Sequence, residues 1–185
     1  AVDYVTKPFS PAILKMRIRT HVELKRLRDH WQRLSTIDGL TQIANRRAFD
    51  DALKSAWRCA IRQQQPLALI IADVDHFKAY NDHHGHAMGD QCLQTVARVL
   101  AGQVKRACDL VARFGGEEFV IVILDAGAAE GLAIAERLCA RVRASPIFFG
   151  EHRLRLTASF GVADLPPGGE MDTAIQQADR ALYRA

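Results

Sequence analysis

The chain has 185 residues, 49% hydrophobic and 25% charged, which is enough for one well-buried domain and an appendage. No apolar run approaches the length of a membrane span and no leader opens the sequence, so a soluble, cytoplasmic protein without membrane contact is expected. Much of the net charge of +4 sits in "LKMRIRTHVELKRLRDHWQR", where basic residues alternate with apolar ones as on a helix and no base-stacking aromatic pattern appears, which argues against nucleic-acid binding.

The opening "AVDYVTKPF" reads as a short strand and as the interior of a domain, so a fragment of a longer protein is expected. Ser10 and Pro11 supply an N-cap and a first-turn proline for a helix running to about Thr36. Within it Leu24, Leu27, Trp31 and Leu34 are spaced as a coiled-coil seam for a homodimer; a helix lying on its own domain would use the same stripe. Asp38-Gly39 breaks the helix, and an amphipathic helix follows from about Asn45 to Gln63. Then come the strand "LALIIADVD", the loop "DHFKAYNDHHGHAMGD", the helix "GDQCLQTVARVLAGQV" and the hairpin "LVARF-GG-EEFVIVIL". The helix "GAAEGLAIAERLCARVRA", the strand "RLRLTASFGVA" and the helix "MDTAIQQADRALYRA" complete a βαββαβ order. This predicts an α+β, ferredoxin-like fold, its antiparallel sheet backed by helices on one face and free for a ligand on the other face or an edge. Two domains are expected, 1–36 and 37–185. Cys59, Cys92, Cys108 and Cys139 include no C-x-x-C pair, so reduced thiols are expected rather than a zinc knuckle or a disulfide framework.

Side chains alternate along "LALIIADVD", so Leu69, Ile71 and Asp73 share a face and Asp73 ends it with a charge. In "RFGGEEFVIVIL" Gly115 and Gly116 form the hairpin turn. Glu117 and Glu118 stand at the mouth of a strand that reads as buried on both faces. The first strand and the return strand are neighbours in this arrangement, so three carboxylates meet. Like charges at that range raise one another's pKa unless a cation lies between them. Oxygen ligands of this kind suit Mg²⁺, which is bound through one or two carboxylates and substrate phosphates. The alternative is a salt bridge from the glutamates to Arg113 or Lys78. The preceding loop offers Lys78 for a phosphate, the Asn81 amide, Gly85 and Gly89 for tight turns, and Asp90 at a helix N-terminus. An amide and a carboxylate together can read guanine, the carboxylate accepting from N1–H and the N2 amino group; taken alone, Asp90 reads as an N-cap. His83, His84 and His86 invite a zinc reading, but the intervening glycine and the absence of i, i+4 spacing argue against it.

"RFGGEEF", with "DGLT", "NRRAF", "DVDHFK", "ND" and "GHAMGD", resembles the GGDEF domain of diguanylate cyclases in its GGEEF variant, over about Ser35 to Ala185. "DYVTKPFSPAIL" is similar to the last strand and final helix of a response-regulator receiver domain, with Lys7-Pro8 as the strand-end pair. The resemblance implies a palm of the nucleotidyl-cyclase and polymerase type behind a helical stalk. It also implies condensation of two GTP to cyclic di-GMP and two pyrophosphates, with Mg²⁺ or Mn²⁺ as cofactor. By similarity, Asp73 and Glu117 bind a metal pair with the Val74 carbonyl, and Glu118 is the general base or a supporting carboxylate for the 3′-hydroxyl. Asn81 and Asp90 read guanine, Lys78 and the amides of His76 and Phe77 cradle phosphates, and Gly115 and Gly116 let the substrate approach. Asp75 supports the metal or balances charge. Because each domain holds one GTP, two must face each other, which gives the stalk a dimerising role and couples activity to an upstream receiver.

"RACD", Arg106 to Asp109, stands five residues before Gly115 and resembles the R-x-x-D site at which product inhibits the family. Arg137 is a further contact, and Arg113 either joins it or neutralises the glutamates. Taken alone, the motif reads as a surface ion pair. Family members usually continue past the last helix with basic residues that contact the triphosphate, whereas this sequence stops at "ALYRA", which implies weaker GTP binding. The rival reading is a receptor that binds GTP or cyclic di-GMP without turnover. Loss of Asp73, Glu117 or Glu118 would favour it, and all three are present.

Overall fold

A computed structural model of the chain describes residues 11–34, 36–104, 106, 108–149 and 152–185. The chain divides into two compact units between Thr36 and Ile37. The first contains helix α1 (Pro11–Leu34), on which Met16, Ile18, Val22 and Leu24 are exposed. The expected strand at the start, the Ser10 cap and the side chains of Leu27, Trp31 and Leu34 lie outside the described residues.

The second unit is built on a five-stranded sheet. Its strands are β1 (Ala44–Asn45), β2 (Leu67–Val74), β3 (Leu110–Arg113), β4 (Glu118–Leu124) and, after a separate small hairpin, β7 (Ala158–Leu165). They lie in the order β1-β3-β4-β2-β7, antiparallel throughout except that β1 joins β3 in parallel. Leaving out the two-residue β1, this is the predicted βαββαβ arrangement, the α+β palm, with the first and third of its strands paired at the centre.

The helices are α2 (Arg46–Gln63), α3 (Phe77–His84), α4 (His86–Gln103), α5 (Ala128–Ala144) and α6 (Met171–Leu182). They cover both faces of the sheet, which corrects the expectation of helices on one face. Ala68, Ile70, Ala72 and Val74 of β2 join Phe119, Ile121 and Ile123 of β4 in a core with α4 and α5. Leu67, Leu69 and Ile71 join Val120 and Val122 in a second core with α2 and α6. A strand with apolar side chains at every position needs cover on both sides, and α2, which precedes the motif, and α6, which ends it, supply the second layer. At Gly161 of β7 the approach of α6 is so close that a Cβ would run into the Ala178 carbonyl and the Leu182 backbone.

Three local readings change. The segment after β2 is not a loop but α3 and α4, joined at Gly85, whose φ of +84° favours glycine. Helix α4 therefore begins at His86 and not near Asp90. The last predicted strand is split: β5 (Ile147–Phe149) and β6 (His152–Leu154) pair as a separate hairpin, and only β7 enters the main sheet. Helix α2 begins as the sequence suggests, with Asn45 as its cap, the side chain accepting from the Ala48 N–H at 3.0 Å. All four cysteines are free thiols, and burial pushes that of Cys92 up to about 12. Among the described residues no helix is long and apolar enough to cross a membrane.

Candidate active site

Strands β2 and β4 end together. Asp73 is the cross-strand partner of Glu118, so the two α-carbons stand about 5 Å apart and the side chains share a face. Glu117 precedes the strand, and its carbonyl accepts from the Val74 N–H at 3.3 Å. The Gly115-Gly116 turn closes the hairpin, with the Phe114 N–H donating to the Glu118 carbonyl at 2.8 Å. Glu118 turns back over Gly115: a Cβ at Gly115 would stand 2.6 Å from Glu118 Oε2, so the bare glycine leaves room for the carboxylate.

Arg113 does not neutralise the glutamates. Its Nη2 donates to the Gly116 carbonyl at 2.7 Å and its Nε to the Gly115 and Gly116 carbonyls at 3.2 Å each. Its Nη1 meets Asp38 Oδ1 at 3.2 Å. The same Asp38 oxygen accepts from the Thr41 N–H at 2.8 Å and hydroxyl at 2.6 Å. Burial alone would raise the Asp38 carboxyl; the Thr41 bonds and then Arg113 outweigh it and hold the group below the ordinary value of 3.8. Arg113 is thus a clamp on the turn, tied to "DGLT". Phe114 anchors the root of the turn, edge-on to Phe49 at 5.5 Å, with the Arg46 guanidinium 4.3 Å above its ring.

The acidic group is left without a cation: among the described residues no ion pair joins Glu117 or Glu118 to Arg113 or Lys78. Burial first, then the charges of Glu117, Glu118 and Asp75, raise the Asp73 carboxyl from 3.8 to about 6. Asp75 itself accepts from the Ser159 hydroxyl at 2.7 Å. Among the described residues no three His, Cys, Asp or Glu side chains already stand as a metal cage. The donors present, two or three clustered carboxylates and a backbone carbonyl, instead fit a hard cation that completes its shell with phosphate and water.

Lys78 is exposed in the first turn of α3, not in a loop. His76 precedes that helix in a left-handed conformation, φ 55°, with Phe77 buried behind it. Asn81 lies on α3 against Gly89 of α4. Asp90 is exposed in the second turn of α4, which removes its reading as an N-cap; Gly85 holds that position. Gly89 likewise serves close packing and not a turn. A cavity of about 620 Å³ opens beside Asp73 and is also lined by Asp75, Ser159, Arg180 and Arg184. Neither arginine is among the sequence-predicted site residues; Arg180 lies in the last turn of α6 and Arg184 just beyond it, so the basic residues at the end of the sequence are the available signal. Arg106, Asp109 and Arg137 meet around a different cavity of about 470 Å³, with Asp125 and Glu130 on its wall. One Asp109 oxygen there accepts from the Leu124 N–H at 3.1 Å.

A palm sheet that carries carboxylates on its first strand and on an adjoining Gly-Gly hairpin is the architecture of a nucleotide-handling domain. The family described as diguanylate cyclase, GGDEF domain, matches residues 35–185, and the chain belongs to that family. The response regulator PleD of Caulobacter vibrioides is 36% identical over 193 residues, covering 99% of this chain and 42% of PleD. The GGDEF domain of DgcB from Caulobacter crescentus, solved in complex with c-di-GMP, matches with a TM-score of 0.75 and 36% identity over 80% of this chain and 86% of that one. The active GGEEF domain of a diguanylate cyclase from Vibrio cholerae matches with a TM-score of 0.72 and 32% identity, over 78% and 91%. The chain spans less than half the length of the curated relatives it matches.

Proposed function

We propose that the chain is the catalytic portion of a diguanylate cyclase, joining two GTP into cyclic di-GMP with release of two pyrophosphates. The observation that carries this reading is the cluster of Asp73, Glu117 and Glu118, set at neighbouring strand ends beside a glycine turn and unpaired with any cation among the described residues. Asp73, Glu117 and the Val74 carbonyl hold Mg²⁺ or Mn²⁺, which supplies charge stabilisation at the α-phosphate. Glu118 accepts the proton of the attacking 3′-hydroxyl, whose oxygen forms a bond to the α-phosphorus as the bond to pyrophosphate breaks. Lys78 and the His76 and Phe77 amides at the start of α3 hold phosphates, and Gly115 and Gly116 keep the turn open to the nucleotide. Asn81 and Asp90 read guanine.

Two such bonds are needed and each domain holds one GTP, so two copies face each other, paired through α1. The receiver-like residues ahead of α1 connect that pairing to phosphorylation in the longer protein. Arg106, Asp109 and Arg137 bind the product and restrain the enzyme, a reading supported by their meeting on one cavity.

Incubation with GTP and Mg²⁺, followed by chromatography, tests the proposal. Cyclic di-GMP is expected from the wild type and none from Glu117→Ala, with both proteins folded at the assay temperature by circular dichroism. Tight binding of cyclic di-GMP with no turnover by the wild type would favour a receptor instead.

A further inference from the structure

Among the described residues only two buried side-chain polar atoms lack a hydrogen-bond partner, the Tyr80 hydroxyl and Asn81 Oδ1. An unpaired buried amide oxygen costs free energy, so its placement calls for a reason. Gly89 stands directly against that amide. A Cβ at Gly89 would run into Asn81 Oδ1, lie 2.8 Å from Asn81 Cγ and lie 3.1 Å from Phe77 Cζ. The turn at Gly85 fixes this approach: its N–H donates to the Asn81 carbonyl at 2.7 Å, and its own carbonyl accepts from the Gly89 N–H at 3.3 Å. Glycine within a helix is less favourable than alanine, and Gly89 has no left-handed φ to require it. The missing side chain therefore serves the contact with Asn81 rather than the backbone of α4.

We propose that Gly89 is a positioning residue for base selection: its bare α-carbon is the wall that seats the Asn81 amide toward the purine. The inference rests on the reading of Asn81 as a guanine contact. Seated against Gly89, the amide has few rotamers to lose on binding. With Oδ1 turned inward against Gly89, Nδ2 is the end of the amide that can donate to an acceptor on the purine edge such as guanine O6, while the N1–H and N2 amino group go to the Asp90 carboxylate. A methyl group at position 89 forces the amide out of its seat, so base selection suffers while the phosphate and metal groups remain in place.

A double-mutant cycle with Gly89→Ala and Asn81→Ala tests this, reading the dissociation constants of non-hydrolysable GTP and ATP analogues by calorimetry with Mg²⁺ present. Gly89→Ala is expected to weaken the GTP analogue about tenfold and leave the ATP analogue unchanged, narrowing the preference as Asn81→Ala does. The double variant is expected to match Asn81→Ala alone, because the methyl group then displaces no amide and the Phe77 ring edge need give only slightly. In that background alanine at position 89 should also raise the melting temperature by about 3 °C, as helix propensity requires. Additive losses, or an unchanged constant for Gly89→Ala, would overturn the role of Gly89. An unchanged constant for Asn81→Ala, or no binding by the wild type, would overturn the guanine reading beneath it. If Gly89→Ala alone fails to fold, recovery in the double variant supports the seat and continued unfolding refutes it.

Discussion

Asp73 is half-buried among like charges, and the fold bears that strain. Below pH 3.8 its carboxyl is protonated in folded and unfolded chains alike, so it has no effect on stability. Between 3.8 and about 6 the unfolded chain releases the proton first and the native state loses ground; above about 6 the whole penalty is present. Asp73→Asn should therefore raise the melting temperature of the metal-free protein at pH 8, with the gain fading toward pH 4, while product formation is lost. Mg²⁺ should stabilise the wild type at pH 8 and leave Asp73→Asn unmoved. A variant less stable than the wild type at pH 8 would contradict the repulsion. The acidic group was legible in the sequence because strand alternation aims Asp73 and a Gly-Gly turn fixes its neighbours. The pairing of Asp38 with Arg113 was not legible, since 75 residues separate the two and neither motif points to the other.

The elements most plainly written in the sequence are the apolar strands β2 and β4. The run of β4 announces burial on both faces, and the second helical layer follows from taking that literally and extending it to β2. Helix α3 was obscured by its composition: "FKAYNDHH" has no apolar stripe long enough to mark a helix, and tertiary packing of Phe77 settles it. The contact of α6 with β7 depends on a single glycine. Gly161→Ala should cost about 2 kcal/mol by overpacking, read from denaturant unfolding. It should also weaken GTP binding, because α6 carries Arg180 and brings Arg184 to the cavity beside Asp73. Unaltered stability would mean that α6 yields easily and that its seat is not the tight one described.

At the scale of the whole molecule, two cavities with different linings stand on the second unit. One is lined by Asp73 and Asp75 with Arg180 and Arg184; the other collects Arg106, Asp109 and Arg137 from β3's approach and from α5. The R-x-x-D spacing gave two of these residues, the resemblance added Arg137, and the fold brings all three to one wall. Arg106→Ala should leave the initial rate of product formation intact and abolish its decline as cyclic di-GMP is added. Inhibition of unchanged strength would remove the motif from any regulatory role.

The catalytic account depends most on anionic groups from two strands converging on one cation. A crystal of the chain grown with Mn²⁺ and a non-hydrolysable GTP analogue tests this directly through the anomalous signal of the metal. The account predicts a peak about 2.1 Å from carboxylate oxygens of both Asp73 and Glu117, with nucleotide phosphate completing the shell. A bound nucleotide whose metal touches neither carboxylate would contradict it.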